Sequence, residues 1–303
     1  MSYIFEALQR AEAERAGGNL PRKADSAAEL LQGVEREIER KLPVLEMPPL
    51  GEKPGPSGPE NFAAAKCLVP AVRADSRMVC MTEQGGMAAE KFRVLGLKLR
   101  HLRERRKLKR IVITSSIPEE GKSLVAANLA LNQSRSKVLH AVLIDGDLRR
   151  PQVGSRFGFH HNLPGLSEVL RGERPLSDVV YRLAGSGLWF IPAGMTPENP
   201  IELMQSARLQ QVLEELEIFF DWILIDTPPV LPLADTPLWM KLADGVLLVV
   251  REGVCEKRQV ERALEIIDPA TMIGVVINSC SGNEQKEYYE RYSAASSSPS
   301  AES

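Results

Sequence analysis

The pattern of hydrophobic and polar residues divides the chain into four parts, of which 86–280 is the most regular. Six short runs of aliphatic and β-branched residues there lack polar alternation, as is typical of strands covered by helices on both faces. These strands are predicted at 110–115, 138–144, 188–192, 222–226, 245–250 and 272–278. Helical patterns lie between them at 122–134, 202–219 and 255–267. The alternation predicts an α/β domain with a doubly wound, mostly parallel sheet and helices on both faces.

The other three parts carry weaker patterns. Residues 1–16 predict a short amphipathic helix, whose apolar stripe would dock either on this chain or on a partner protein. Six prolines between Pro43 and Pro59 indicate that 17–85 is a largely flexible linker. Residues 281–303 are polar and rich in Ser and Ala, which is the composition of a flexible tail.

Composition and charge exclude several classes of protein. The chain has 303 residues, 44% of them hydrophobic, and a net charge of −2, so no overall field attracts nucleic acid or anionic lipid. No apolar run approaches the roughly 18–20 residues that cross a bilayer. The first residues lack the basic and apolar regions of a secretory signal. We therefore expect a cytoplasmic protein that reaches the inner face of the membrane only through a partner.

One segment departs from this balance, because 98–110 carries eight Lys or Arg residues. It could bind nucleic acid or anionic lipid. Alternatively, it is a solvated helix face that pairs with acidic groups of an adjacent subunit. No aromatic side chains are interleaved with these charges and the whole chain is slightly acidic. The second interpretation is therefore favoured, and no nucleic-acid partner is expected.

The strongest chemical signal is the string SIPEEGKS at 116–123, which follows a predicted strand and opens a predicted helix. A loop in this position points backbone N–H groups and the positive end of the helix at phosphates. Its lysine supplies charge to the β- and γ-phosphates and its last serine can bind magnesium. Because Ser116 replaces the usual first glycine, a chance match has to be weighed. The residues expected to hold the nucleotide are Pro118, Glu119, Glu120, Gly121, Lys122, Ser123 and Leu124.

Three aspartates support the phosphate-loop interpretation. Asp145 and Asp147 end the predicted strand of VLIDGD, and Asp226 ends that of WILIDTPP. In open α/β sheets, functional residues gather at the carboxyl ends of strands. A single aspartate there is usually a cap or turn residue, but three beside one phosphate loop suit magnesium-assisted phosphoryl transfer. The sequence therefore predicts binding of ATP and Mg²⁺.

The strings PEEGKS, LIDGDLRRP and ILIDTPP resemble those of the bacterial tyrosine kinases of capsule and exopolysaccharide biosynthesis, in their stand-alone cytoplasmic form. These kinases belong to a deviant P-loop group that includes the partitioning and division-site ATPases. The resemblance implies that Lys122 and Ser123 hold the phosphates and magnesium. It further implies that Asp145 activates the attacking tyrosine, that Asp147 supports the metal site, and that Asp226 holds magnesium through water.

The resemblance extends over about 86–292 and implies partners as well. Glu90 and Arg93 are similar to the family's oligomerisation motif, although Gly96 stands where a second arginine is common. A homo-oligomer is therefore expected. A membrane polysaccharide co-polymerase of the chain-length-control type is the implied activator, and a tyrosine phosphatase is the implied antagonist.

The implied substrate is the chain's own tail, phosphorylated in trans between subunits at Tyr288, Tyr289 and Tyr292. The alternative is that these tyrosines occur by chance in a polar chain end. Two other functions also stay open: an ATP-binding switch or scaffold without kinase activity, and a positioning ATPase of the partitioning type. The partitioning ATPases carry an extra lysine early in their phosphate loop, and 115–120 contains none.

Overall fold

Eight strands form one sheet in the part of the chain that the computed structural model describes, residues 62, 64–136, 138–159 and 163–279. In chain order the strands are β1 Cys67–Leu68, β2 Arg110–Ser115, β3 Ala141–Asp145, β4 Tyr181–Leu183, β5 Leu188–Ile191, β6 Trp222–Asp226, β7 Gly245–Arg251 and β8 Met272–Asn278. The α-helices are α1 Val79–Thr82, α2 Met87–Arg105, α3 Lys122–Gln133, α4 Val153–Arg156, α5 Leu166–Leu170, α6 Pro200–Met204, α7 Ala207–Phe219, α8 Asp235–Lys241 and α9 Lys257–Ile266. No described helix is both long and apolar enough to cross a membrane.

The strands follow the order β1-β4-β5-β3-β6-β2-β7-β8. Every neighbouring pair is parallel except β4 and β5, which are antiparallel. Strands β3, β5 and β6 are buried along their whole length, as their continuous apolar runs require. The predicted fold class is confirmed, and all six predicted strands are present.

Local differences from the predicted elements have simple causes. Strands β1 and β4 were not predicted, because runs of 2 and 3 residues are too short for a periodic signal. The helix predicted at 202–219 is two helices, α6 and α7. Ser206 lies between them with an extended ψ of 145°, in the position before a helix that serine favours.

The predicted linker extends too far along the chain, because residues 64–85 belong to the domain. Strand β1 pairs in parallel with β4. Met78 is buried in the core, and the backbone N–H of Cys80 donates to Oδ1 of Asn128 on α3 at 3.0 Å. The proline-rich composition therefore describes only what precedes this region. The predicted N-terminal helix and the tail after residue 279 lie outside the described residues.

The basic segment 98–110 finds acidic partners on its own chain. Arg103 lies 3.0 Å from Asp221, and Lys107 lies 3.2 Å from Glu217 at the end of α7. The favoured interpretation, in which these cations pair with acidic side chains, therefore agrees with the contacts of Arg103 and Lys107. The acids of these two pairs belong to the same chain.

Helices α2 and α3 approach each other closely at Gly96. A Cβ atom on this buried glycine would collide with Oδ1 of Asn132. The side-chain amide of Gln133 donates to the carbonyl of Gly96 at 3.1 Å, and Arg100 in turn donates to Gln133. Packing against the helix that follows the phosphate loop therefore explains why a glycine, and not a large cation, occupies this position.

Candidate active site

The phosphate loop, residues 116–121, joins β2 to α3 and is attached to the end of β8. Gly121 has a left-handed φ of 91°, and the side-chain amide of Asn278 occupies the space a Cβ atom would need. That amide also donates to the carbonyl of Glu120 at 2.9 Å. Both the backbone conformation and the close approach therefore require glycine here.

The side chain of Glu120 supports the loop from inside the protein. It is completely buried, and it accepts hydrogen bonds from the backbone N–H groups of Ile117 at 2.9 Å and Arg251 at 3.2 Å. The loop is thereby linked to the end of β7. Glu120 and Leu124 are not among the residues that line the cleft, and the side chain of Leu124 packs against the core, so any contact with the nucleotide would come from their backbone N–H groups.

Lys122 begins α3 among three carboxylates. Its Nζ lies 3.2 Å from Oδ2 of Asp147 and 3.6 Å from Oδ2 of Asp226. Burial would lower the pKa of this lysine, but Asp226 and Asp147 outweigh the effect and raise it. The ammonium group is therefore charged throughout the physiological range and is available to phosphate oxygens.

Asp145 and Asp226 stand side by side, because β3 and β6 pair them in register. Burial raises the pKa of both, and the negative charge of Asp226 raises that of Asp145 further. Asp145 accepts a hydrogen bond from the backbone of Val153 at 2.9 Å, and Ser123 donates to Oδ2 of Asp226 at 2.6 Å. Among the described residues, Oδ1 of each aspartate has no hydrogen-bond partner.

These oxygens suit magnesium. The carboxylates of Asp147 and Asp226 lie within 4 Å of one ammonium group, so negative charge is concentrated at this site. Asp226 accepts from Ser123 through Oδ2 and keeps Oδ1 free. No group of three or more His, Cys, Asp or Glu side chains in the described residues could hold a metal by itself. Mg²⁺ characteristically uses one or two protein oxygens together with water and substrate phosphates. Ser123 and Asp226 therefore fit it, and Asp147 accepts a hydrogen bond from the neighbouring Lys122 at 3.2 Å.

A cleft of about 700 Å³ opens at the loop, a volume within the usual range for small-molecule sites. The sequence-predicted residues that line it are Pro118, Glu119, Gly121, Lys122, Ser123 and Asp147. Asp226 lies behind this surface. Asp145 instead lines a much smaller pocket of about 20 Å³ with Pro151 and Phe159.

Sequence reasoning missed half of the cleft wall. The additional lining residues are Arg149, Arg150, Gln152, Arg156, Pro229, Pro232 and Leu233. Arg149 forms a bidentate ion pair with buried Asp235, in which Nε lies 2.7 Å from Oδ2 and Nη2 lies 3.2 Å from Oδ1. The string LRRP directly after Asp147 contains Arg149 and Arg150, and ILIDTPP ends with Pro229; nothing in the sequence marked Arg156 or the other lining residues.

The predicted oligomerisation residues lie away from this cleft. Glu90 and Arg93 form an ion pair of 2.6 Å on α2, and both are roughly half exposed. Arg93 also donates to the backbone carbonyl of Gln84 at 2.6 Å. The predicted phosphoacceptors Tyr288, Tyr289 and Tyr292 lie outside the described residues.

A phosphate loop at the carboxyl edge of a parallel sheet, with a lysine, a serine and carboxylates converging on one cleft, defines a P-loop nucleotide-binding protein. No model of a known protein family matches the chain. It is 33% identical over 220 residues to the tyrosine-protein kinase YwqD of Bacillus subtilis strain 168, covering 71% of this chain and 91% of that protein. The chain therefore belongs to the bacterial tyrosine-protein kinase family.

Solved structures agree with this assignment. The chimerical protein CapA2B2 is 28% identical, with a TM-score of 0.65 over 74% of this chain and 98% of its own. The kinase domain of the Escherichia coli tyrosine kinase ETK is 29% identical, with a TM-score of 0.62 over 68% of this chain and 82% of that domain. Both similarities cover most of the region that the structure describes.

Proposed function

We propose that this chain is an ATP-dependent protein-tyrosine autokinase that phosphorylates its own C-terminal cluster, Tyr288, Tyr289 and Tyr292, in trans between subunits. The observation that carries the proposal is the convergence of Lys122, Ser123 and Asp147 on one cleft with Asp226 directly behind it. Membership of a tyrosine-kinase family makes phosphoryl transfer to tyrosine the reaction that this arrangement serves.

The loop and its lysine bind and orient the triphosphate. Lys122 offsets the charge of the β- and γ-phosphates, while backbone N–H groups at the start of α3 contact phosphate oxygens. Ser123 and Asp226 would hold magnesium, which would supply further positive charge to the phosphate oxygens. The tyrosine oxygen forms a new bond to the γ-phosphorus, the bond from that phosphorus to the oxygen of ADP breaks, and the phenol proton passes to a carboxylate.

Asp145 is the proposed proton acceptor. Burial and Asp226 raise its pKa, and its free Oδ1 leaves one acceptor position available. Asp147 is the competing candidate, because it lines the cleft, but it already accepts from Lys122 and from the backbone of Arg150. Asp145→Asn should lower kcat more than the affinity for ATP, whereas Asp147→Asn should weaken both.

The biological role that we propose is control of exopolysaccharide or capsule polymerisation and export. A membrane co-polymerase would activate the kinase, a tyrosine phosphatase would reverse the modification, and the protein would act in the cytoplasm at the inner face of the membrane. The half-exposed Glu90–Arg93 pair, together with the exposed Val94 and Leu97 on the same helix, supports a homo-oligomeric contact through α2.

The second candidate is an ATP-binding switch or scaffold ATPase without kinase activity. One observation favours it: Asp145 faces a small pocket and does not line the nucleotide cleft. The nucleotide-binding residues would serve such a switch equally well. The partitioning type has less support, because the loop lacks an early lysine.

The test is incubation of the purified chain with ATP and magnesium, followed by intact-mass and site-mapping mass spectrometry. Phosphate on the tail tyrosines, absent in Lys122→Met, supports the autokinase. Lys241→Met is the matched control, because it removes an exposed lysine from α8 outside the cleft. ATP binding with an unmodified tail, in the presence and absence of a membrane co-polymerase, would favour the switch.

A further inference from the structure

Three arginines line the nucleotide cleft, but they are not in equivalent environments. Arg149 is committed to Asp235, whose buried carboxylate holds its Nε and Nη2 atoms. Arg150 and Arg156 are exposed. Within the described residues, neither of their guanidinium groups forms a side-chain hydrogen bond or an ion pair. The cleft wall therefore carries two cations that the fold itself does not use.

These two cations are available to an anionic group besides the nucleotide. Lys122, the start of α3 and a magnesium ion held by Ser123 and Asp226 would serve the phosphates. Guanidinium groups are particularly suited to binding carboxylates through paired hydrogen bonds. A segment with carboxylates beside a reactive hydroxyl would therefore match this wall of the cleft.

The tail begins next to the phosphate loop. Asn278, the last residue of β8, touches both Glu120 and Gly121 of that loop. Tyr288 follows ten positions later, and ten extended residues span at most about 35 Å. The tail therefore starts at the edge of the cleft, and its tyrosines have enough chain to reach a cleft on this subunit or on an adjacent one.

The charges around the three tail tyrosines differ. Glu287 directly precedes Tyr288, and Glu290 directly follows Tyr289. In contrast, Tyr292 is preceded by Arg291 and followed by a serine. Two of the acceptors thus carry an adjacent carboxylate that complements the free arginines, and the third carries a cation that they would repel.

We propose that Arg150 and Arg156 form an acceptor-recognition subsite that binds the carboxylates of Glu287 and Glu290. The proposal rests on the autokinase function and specifies how its substrate is chosen. The subsite selects Tyr288 and Tyr289 ahead of Tyr292. It also disfavours tyrosines without acidic neighbours.

Exchanging the charges of the cleft arginines and the tail glutamates tests this proposal in the full-length chain. Three variants are compared with wild type: Arg150→Glu/Arg156→Glu, Glu287→Lys/Glu290→Lys, and the two pairs combined. Each pair alone should slow the initial rate of tail phosphorylation at least tenfold, and the combined variant should recover most of the rate. Arg208→Glu, an exposed arginine of α7 outside the cleft, should leave the rate unchanged.

Measuring the dissociation constant for ATP alongside the phosphorylation rate distinguishes recognition of the tail from binding of the nucleotide. Initial rates are therefore compared at saturating ATP for each variant, so that weaker ATP binding caused by the reversed charges in the cleft does not enter the rate. A slow arginine variant that is not rescued by the exchanged tail would overturn the subsite. Equal initial rates at all three tyrosines in the wild type would overturn the proposed selection.

A binding measurement keeps the inference independent of catalysis. A fluorescent peptide of residues 283–293, with its three tyrosines replaced by phenylalanine, serves as the probe in fluorescence anisotropy. Its affinity should fall at least tenfold in Arg150→Glu/Arg156→Glu and recover when the peptide carries the two lysines. If the wild type transfers no phosphate yet shows this charge-dependent binding, the autokinase proposal fails and the recognition subsite stands. If peptide affinity does not change when the charges of Arg150 and Arg156 are reversed, the recognition subsite is wrong, whether or not the protein is an active kinase.

Discussion

The hydroxyl group of Ser123 donates a hydrogen bond of 2.6 Å to Oδ2 of Asp226, a residue 103 positions away in the sequence. This contact joins the first turn of α3 to the carboxyl end of β6. It exists because β6 lies directly beside β2, the strand that leads into the phosphate loop. The sheet order therefore brings the two proposed magnesium ligands together, and several measurable consequences follow from the surrounding charges.

The first prediction concerns pH and Asp145. Because burial and Asp226 raise its pKa, the folded protein binds this proton more tightly than the unfolded chain does. The resulting stability is fully present below the unfolded pKa of about 4 and is lost as pH rises through the folded pKa. Without nucleotide or magnesium, Asp145→Asn should therefore unfold at a higher temperature than wild type at pH 8.

This advantage should shrink as the pH is lowered toward 4, as followed by thermal unfolding in a pH series. Asp178→Asn changes an exposed carboxylate outside the site and should show no such trend. An Asp145→Asn variant that is less stable than wild type at pH 8 would contradict the electrostatic account.

The second prediction concerns Glu119, which adopts a left-handed φ of 67° and lines the cleft. Non-glycine residues in this conformation cost of order 1 kcal/mol or more. Glu119→Gly should stabilise the protein by about 1 kcal/mol, which corresponds to roughly 2–4 °C in Tm. It should also bind ATP more tightly, because a negative charge leaves the phosphate site.

Glu119→Gln separates the two effects, since it removes the charge and keeps a side chain in the unfavourable conformation. It should improve ATP affinity as much as the glycine variant does, with little change in Tm. Equal Tm values for wild type and Glu119→Gly would show that the left-handed conformation carries no cost.

The third prediction concerns Glu120. Replacement by alanine leaves the part-buried N–H groups of Ile117 and Arg251 without their acceptor, at a cost of about 1–3 kcal/mol for each. Glu120→Ala should therefore lower stability by about 3 kcal/mol and weaken ATP binding, as measured by denaturant unfolding and calorimetry. Glu215→Ala, on an exposed position of α7, should change neither quantity. A variant with normal ATP affinity would show that Glu120 does not shape the loop.

The fourth prediction concerns the contact between α2 and α3. An alanine inside a helix normally stabilises it by up to about 1 kcal/mol relative to glycine. At Gly96 the added methyl group meets Oδ1 of Asn132, so Gly96→Ala should instead destabilise the protein. The loss should be smaller in an Asn132→Ala background, and a double-mutant cycle measures this coupling. Additive effects of the two substitutions would contradict the proposed contact.

The sheet and the phosphate loop could be predicted because their signals are local. Each central strand is a continuous apolar run, and the string 116–123 contains the loop together with Lys122 and Ser123. In contrast, the support given by Glu120 depends on β7, and that given by Asn278 depends on β8. Such contacts follow from strand order, which the sequence pattern does not specify.

The start of the domain was misplaced for a related reason. The segment 64–85 contains short elements whose burial depends on distant partners, such as β4 for β1 and Asn128 for Cys80. It contains one proline, Pro70, so its composition differs from that of the proline-rich segment before it, but it has no long periodic run. A periodic pattern cannot emerge from a strand of 2 residues, so only tertiary contacts reveal that this segment is folded.

The central claim is that this cleft transfers phosphate to the tail tyrosines of another subunit, and mixing two variants tests it most directly. One chain keeps its cleft but carries Tyr288→Phe, Tyr289→Phe and Tyr292→Phe. The other carries Lys122→Met and an intact tail. With ATP and magnesium, we predict phosphate on Tyr288 and Tyr289 of the Lys122→Met chain, as read by site-mapping mass spectrometry. An unmodified Lys122→Met chain, beside a partner that binds ATP, would contradict the account.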